Sequence, residues 1–227
     1  MPSTVFIGFA TPFFSFKKVK GFYISFIYNK NLIYNGKTMP NLILPTRAFD
    51  VVKKGIDLFH YGGFHMVGVD KIVRETEVNK MTFYNYFHSK ERFIDICLIV
   101  QKERLQDQVV AMVEYDHDTS TIDKLKNLYE LHTNLEGQYY LLFKAIFETK
   151  NSYPNAYQTA VRYRTWLTNE IYSQLRLLKN DAAFNDAKIL LYMIEGAIIQ
   201  LLSSEQVDQK ERLLMRFLRQ FKFSEPM

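Results

Sequence analysis

Val78-Asn79-Lys80-Met81-Thr82-Phe83-Tyr84-Asn85-Tyr86-Phe87, followed closely by Ser89-Lys90-Glu91-Arg92-Phe93, carries most of the argument about architecture. Phe83 and Phe87 stand four residues apart, so on a helix they share one face. Lys80, Met81, Asn85 and Tyr86 fall on the exposed side. The spacing predicts a short helix over 80–87 that buries its phenylalanines and is polar at its start. A second short helix is predicted just upstream, from about Val69 to Thr76, joined to it by a tight turn. Two such helices form a helix-turn-helix. An α-helix fits the major groove of DNA, where every base pair shows its own donor and acceptor pattern. The first helix of the pair braces the second, whose N-terminal residues meet base edges.

Working upstream, Pro45 and Thr46 are good helix openers. Val51, Val52, Ile56 and Phe59 recur at three- and four-residue spacing and make one apolar face, and Gly62-Gly63 ends it. Downstream, Ser89 caps a long helix predicted from Lys90 to about Val113. A polar loop over 114–121 follows. Further helices are predicted at about 122–135, 138–150, 155–179, 182–204 and 208–221. Gly137, the run Asn151-Ser152-Tyr153-Pro154, Asn180-Asp181 and Ser203–Asp208 mark the breaks. The chain has only nine Gly and six Pro among 227 residues. All of this reads as an all-α protein.

In order, residue type and spacing, Thr46–Ile94 resembles the DNA-binding domain of the tetracycline-repressor (TetR) family. The resemblance rests on Val51-Val52, Phe59, Gly63-Phe64, Val69-x-x-Ile72, the block Val78–Phe87 and Ser89-Lys90-Glu91-Arg92-Phe93. It implies an N-terminal three-helix DNA-binding domain and a larger C-terminal helical domain for ligand binding and dimerisation. The expected organisation is an atypical extension over 1–38, the helix-turn-helix domain over 39–92 and the second domain over 93–227. Lys80, Met81, Asn85 and Tyr86 are the base-edge candidates; Lys favours guanine acceptors and Asn favours adenine. Thr82, Tyr84 and Lys90 match family positions that grip phosphate, and Lys90 also opens a helix, where free N–H groups favour anions. Phe83 and Phe87 are expected to pack against Phe59, Phe64 and Ile72. Three departures stand out. Glu77 occupies the turn where glycine is usual, at a cost of about 1 kcal/mol if its backbone is left-handed. Gly68 replaces a capping hydroxyl, and Val73 replaces alanine.

Hydrophobic residues make up 48% of the chain and charged residues 23%, ordinary values for a globular protein. The formal charge of +5 arises from residues 1–38, which hold five lysines and no acid; the remainder carries 24 basic against 24 acidic residues. An argument for DNA therefore rests on local charge. The extension holds ten aromatics and shows neither a sustained helical period nor clean alternation. It lacks the order of a secretory signal, and Pro12 and Lys17-Lys18 interrupt it too soon for a membrane span. A partner- or membrane-binding arm, a short β-hairpin or basic arm on DNA, and translated AT-rich DNA upstream of a start at Met39 are its three readings. The last is preferred, because Phe, Lys, Ile, Tyr and Asn are what AT-rich codons spell. The single cysteine, Cys97, allows no internal disulfide, suits a reducing cytoplasm and reads as a small apolar residue on a helix face.

The resemblance also implies that the last two long helices form a four-helix bundle with those of a second subunit. Ile189–Leu202 is apolar nearly all round and must be covered on both sides. Tyr192, Gly196, Ile199, Leu214 and Phe217 are the dimer candidates, and the implied spacing of two reading heads is roughly 34–36 Å. An effector pocket is expected among the helices of the second domain. Its candidates are His132, Tyr139, Phe143, Phe147, Tyr163 and Trp166, although an aromatic stripe at helical spacing is more often plain core. Asp116-His117-Asp118 reads as a solvent-facing loop, and no spaced set of His or Cys suggests a metal. No phosphate loop or nucleophile elbow points to an enzyme, and no cofactor is expected. The function implied is a cytoplasmic, ligand-responsive regulator, most simply a repressor. Its partners would be a two-fold DNA operator, a small-molecule effector and a second copy of itself, with no membrane partner. The rival is a helical small-molecule carrier that has lost specific DNA binding.

Overall fold

The computed structural model describes residues 17–19, 22–24, 32–34, 37–39, 45–203 and 209–221. It divides into a unit up to Leu44 and a unit from Pro45 onward. In the first, β1 (Lys17–Val19) pairs antiparallel with β2 (Phe22–Ile24), and β3 (Leu32–Tyr34) with β4 (Lys37–Met39). The registers put Lys17 opposite Ile24 and Leu32 opposite Met39. Asn35-Gly36, between β3 and β4 in the sequence, is the dipeptide that two-residue hairpin turns favour. The all-α reading therefore does not extend to these short pairings. The other positions of the extension, and the predicted break over 204–208, lie outside the described residues.

Among the described residues of the second unit the regular elements are all helices. α1 spans Thr46–Gly62, α2 Val69–Thr76, α3 Lys80–Phe87 and α4 Lys90–Val110. A π-helical turn, Ala111–Tyr115, prolongs α4. α5 (Thr121–Thr133), α6 (Gln138–Glu148), α7 (Pro154–Leu178), α8 (Phe184–Ser203) and α9 (Gln209–Arg219) follow. The starts obey local chemistry. Asn79, Ser89 and Ser120 each accept a hydrogen bond from a backbone N–H of the turn they open. Pro154 takes the first position of α7, where its missing N–H costs nothing.

α4 is the central element. It packs against α1 on the N-terminal side and against α6 and α7 on the other, while α7 also lies along α8. Seven consecutive residues, Phe93 to Ile99, are buried, which a helix achieves only when covered on several sides. Gly55 permits the α1–α4 approach, since a Cβ there would overlap the Phe93 ring. Asp95, within the buried run, accepts a hydrogen bond from Thr159 Oγ1 of α7 at 3.2 Å. Burial raises its carboxyl above the usual range. Burial likewise pushes the Cys97 thiol up, which disfavours the reactive thiolate.

Candidate nucleic-acid interface

The helix-turn-helix is held from below by an aromatic cluster. Phe59, Phe64, Phe83, Phe87 and Phe93 are all fully buried. Phe93 of α4 joins the two halves: its ring centroid lies 4.6 Å from Phe87, 5.1 Å from Phe83 and 5.8 Å from Phe59. Phe59 and Phe64 stack at 5.2 Å, and Ile72 is buried as well. The sequence pattern placed Phe93 in the motif but did not show that it is the hub.

The turn between α2 and α3 is set by Glu77, which adopts a left-handed backbone with φ 53° and ψ 33°. Arg47, near the start of α1, braces the turn by donating from Nη2 to the Glu77 carbonyl at 3.1 Å. Asn79 caps α3 through Oδ1, which accepts from Thr82 N at 2.7 Å. With the phenylalanines buried, α3 shows Lys80, Met81, Tyr84 and Asn85 to solvent, with Thr82 and Tyr86 half-buried. Met81 is the most open large side chain of the helix, 75% exposed.

Two of the basic candidates are engaged within the chain. Lys80 Nζ lies 2.6 Å from Asp70 Oδ1 of α2. Lys90, half-buried, donates to the His65 carbonyl at 3.4 Å, and its ammonium sits 5.7 Å over the Tyr153 ring. Reaching a phosphate would require Lys90 to exchange these contacts for a charge-assisted one.

The effector candidates divide between core and surface. His132, Tyr139 and Tyr163 are fully buried together. His132 Nδ1 lies 2.6 Å from the Leu128 carbonyl and Nε2 lies 2.6 Å from Tyr163 Oη. A carbonyl can only accept, so Nδ1 carries the proton and Nε2 accepts from the Tyr163 hydroxyl. Burial lowers the His132 pKa to about 4, so the ring is neutral at pH 7. Tyr139 donates to Glu195 Oε1 at 3.3 Å, and Arg164 grips the same carboxylate in bidentate fashion at 2.5 and 2.8 Å. Trp166 is half-buried, its ring 5.5 Å from Tyr163. Phe143 is buried beside Tyr139, whereas Phe147 points outward at 67% exposure.

The dimer candidates divide similarly. Tyr192, Gly196 and Ile199 lie exposed on α8, in line with Ile189 and Leu202. Phe217 of α9 is half-buried, Leu214 is buried within the chain and its neighbour Leu213 is exposed. Asp116 is occupied with its own loop, its carboxylate accepting from Asp118 N, Thr119 N and Thr119 Oγ1. Among the described residues no cluster of His, Cys, Asp and Glu could hold a metal, and no helix is long and apolar enough to cross a membrane.

A set of bonds the sequence did not announce joins α6 to the end of α1 and the loop after it. Lys144 donates to the His60 carbonyl at 2.8 Å. The Phe64 N–H donates to Glu148 Oε2 at 2.8 Å, and His65 Nε2 donates to the Glu148 carbonyl at 2.5 Å. Tyr61, on the last turn of α1, donates to Glu136 Oε2 at 2.8 Å in the turn before α6. Gly63, with φ 75°, carries the chain past the Glu148 carboxylate, where a Cβ would stand only 3.0 Å from an oxygen.

Residues 51–95 match the model of bacterial regulatory proteins of the tetR family. No curated protein matches the chain. Among solved structures, it is similar to the reduced form of NemR from E. coli, with 19% identity, a TM-score of 0.67, and coverage of 77% of this chain and 96% of that one. A TetR-type transcriptional regulator from Streptomyces avermitilis matches at 17% identity and TM-score 0.65, covering 78% and 98%. A transcriptional regulator from Saccharomonospora viridis, solved with choline, matches at 19% identity and TM-score 0.62, covering 75% and 94%. At these identities the likeness is one of fold.

Proposed function

We propose that this chain, whose residues 51–95 match the model of bacterial regulatory proteins of the tetR family, is a dimeric transcriptional repressor released from its operator by a small molecule. The observation that carries the reading is the mounting of α3. Its apolar face, Phe83 and Phe87, is buried in a cluster with Phe59, Phe64 and Phe93, and its other face presents Lys80, Met81, Asn85 and Tyr86. Side chains on a rigid helix can read base edges; those on a loose one cannot. Thr82, Tyr84 and Lys90 are the phosphate contacts of the proposal. The exposed stripe Tyr192–Gly196–Ile199 on α8, with Phe217 of α9, forms the dimer seam.

The effector site is assigned to the region of His132, Tyr139, Phe143, Tyr163 and Trp166, with Phe147 at its outer edge. One structure of like fold holds choline; here the aromatic rings could face a cation, but Glu195 beside them is already paired with Arg164, so a cationic effector would have to displace that guanidinium. Coupling follows from α6. An effector that moves Tyr139 or Phe143 moves the helix whose Lys144 and Glu148 hold the end of α1 and the loop leading to α2. Linkage makes the effect reciprocal: a ligand that weakens DNA binding must bind the DNA-bound protein more weakly by the same factor.

The test is fluorescence-anisotropy binding to DNA upstream of the protein's own gene, with competitor DNA and a salt series. Tight, competitor-resistant binding with a steep salt slope supports the regulator. The inward-turned Lys90 and the acidic Glu77 favour the second reading, a small-molecule carrier. Binding to selected genomic sites no tighter than to competitor DNA would establish that reading instead.

A further inference from the structure

Asp70 lies in the first turn of α2 and Lys80 opens α3, and their side chains meet at 2.6 Å. Both are largely exposed, so the pair adds little to stability. Its position matters more. Lys80 sits at a helix N-terminus, where free N–H groups disfavour a cation. α3 has no acidic residue in its own first turn. Asp70 supplies that carboxylate from the neighbouring helix, while its own place in the first turn of α2 is one the dipole favours for an acid. An unpaired lysine is a flexible point charge able to settle on any nearby phosphate. A lysine tied to a carboxylate is aimed, and the pair is neutral.

We propose that Asp70 is a specificity-determining residue of the reading head, holding the Lys80 ammonium for a guanine edge so that the two side chains together match one G·C pair. Lys80 donates to guanine O6 and N7, and Asp70 accepts from the cytosine N4 amino group, the donor–acceptor order that a G·C pair shows in the major groove. On unrelated DNA the neutral pair releases no counterion, so it subtracts from non-specific affinity. The inference rests on the DNA-binding reading above.

The experiment enriches binding sites from a random duplex library with the full-length protein. Asp70→Asn, Asp70→Glu, Lys80→Met and the Asp70→Asn/Lys80→Met double variant are then titrated on the enriched site and on unrelated duplex across a salt series. Circular-dichroism melts confirm that each variant folds. Asp70→Asn is expected to lower the specific-to-non-specific ratio about tenfold, the size of one good base contact. It should relax a single G·C position in each half-site and steepen the salt slope on unrelated duplex by about one. Asp70→Glu should keep the G·C preference, and in the Lys80→Met background, where only the cytosine contact is left to lose, Asp70→Asn should change the base preference less than it does with Lys80 in place. An unchanged ratio and base preference, or an equal shift on both DNAs in both backgrounds, would overturn the inference alone. Failure of the wild-type protein to enrich any site would overturn the DNA-binding reading and this inference with it.

Discussion

Glu77→Gly should stabilise the folded chain, and the size of the gain can be worked from its backbone. Glu77 is held at φ 53°, ψ 33°, where an L-residue with a Cβ pays roughly 1–2 kcal/mol and glycine pays nothing. Glycine gives back about 0.5–1 kcal/mol through the greater freedom of its unfolded chain. The net expectation is a gain of about 0.5–1 kcal/mol per protomer. The bond from Arg47 ends on the Glu77 carbonyl, so it survives any side-chain change. Glu77→Ala is therefore the decisive control: it removes the same carboxylate but keeps the Cβ and its strain. Urea unfolding of the three proteins, at one protomer concentration because association shifts the midpoint, should show glycine above wild type by a few tenths molar. Alanine should lie near wild type. If alanine and glycine stabilise equally, the carboxylate was the source of the cost. If glycine is no more stable than wild type, the left-handed strain assigned to this turn is wrong.

Further outcomes are expected elsewhere. His132 has its pKa lowered from 6.5 to about 4 by burial, so between those values the unfolded chain binds more protons than the folded one. Its contribution is complete above about pH 6.5 and lost as the pH falls towards 4; His132→Gln should flatten that part of a pH series of urea midpoints. Glu148→Ala strips the buried Phe64 N–H of its acceptor, and thermal unfolding should register a loss of about 1–3 kcal/mol, with a weakened effector response in the DNA-binding assay. Ile199→Lys sets a charge in the exposed apolar stripe of α8, and sedimentation should show a dimer for the wild type and a monomer for the variant. A variant that remains dimeric would move the seam away from that stripe.

How much was legible beforehand can be judged from particular residues. α2 and α3 begin and end where the spacing of Val69, Ile72, Phe83 and Phe87 placed them, because a period of 3.6 leaves few choices for a short amphipathic helix. The conditional reading of Glu77 could be made because turn chemistry is local. α8 was visible as a helix apolar nearly all round, yet Leu213 and Leu214 were not separable by sequence. The structure exposes the first and buries the second, a matter of which way α9 is rotated. Among the aromatics of the second domain, residue type could not tell Tyr163 in the core from Phe147 at the surface. A short β-hairpin was one of three readings of the extension and not the preferred one, because three-residue pairings leave almost no periodic trace.

The sequence alone determined the order and type of the helices, the helix-turn-helix and the face of α3 that looks outward. These follow from periodicity, caps and turns, all interactions between residues close in the chain. Tertiary structure decided that Phe93 joins the aromatic cluster, that Asp70 meets Lys80, that Lys90 turns towards Tyr153 and that Glu148 of α6 holds the backbone at Phe64. Apart from the Asp70–Lys80 pair and the contacts of Phe93 with α3, these join parts far apart in the chain. No pattern within one helix encodes such a partner, because the meeting depends on where packing sets the whole helix.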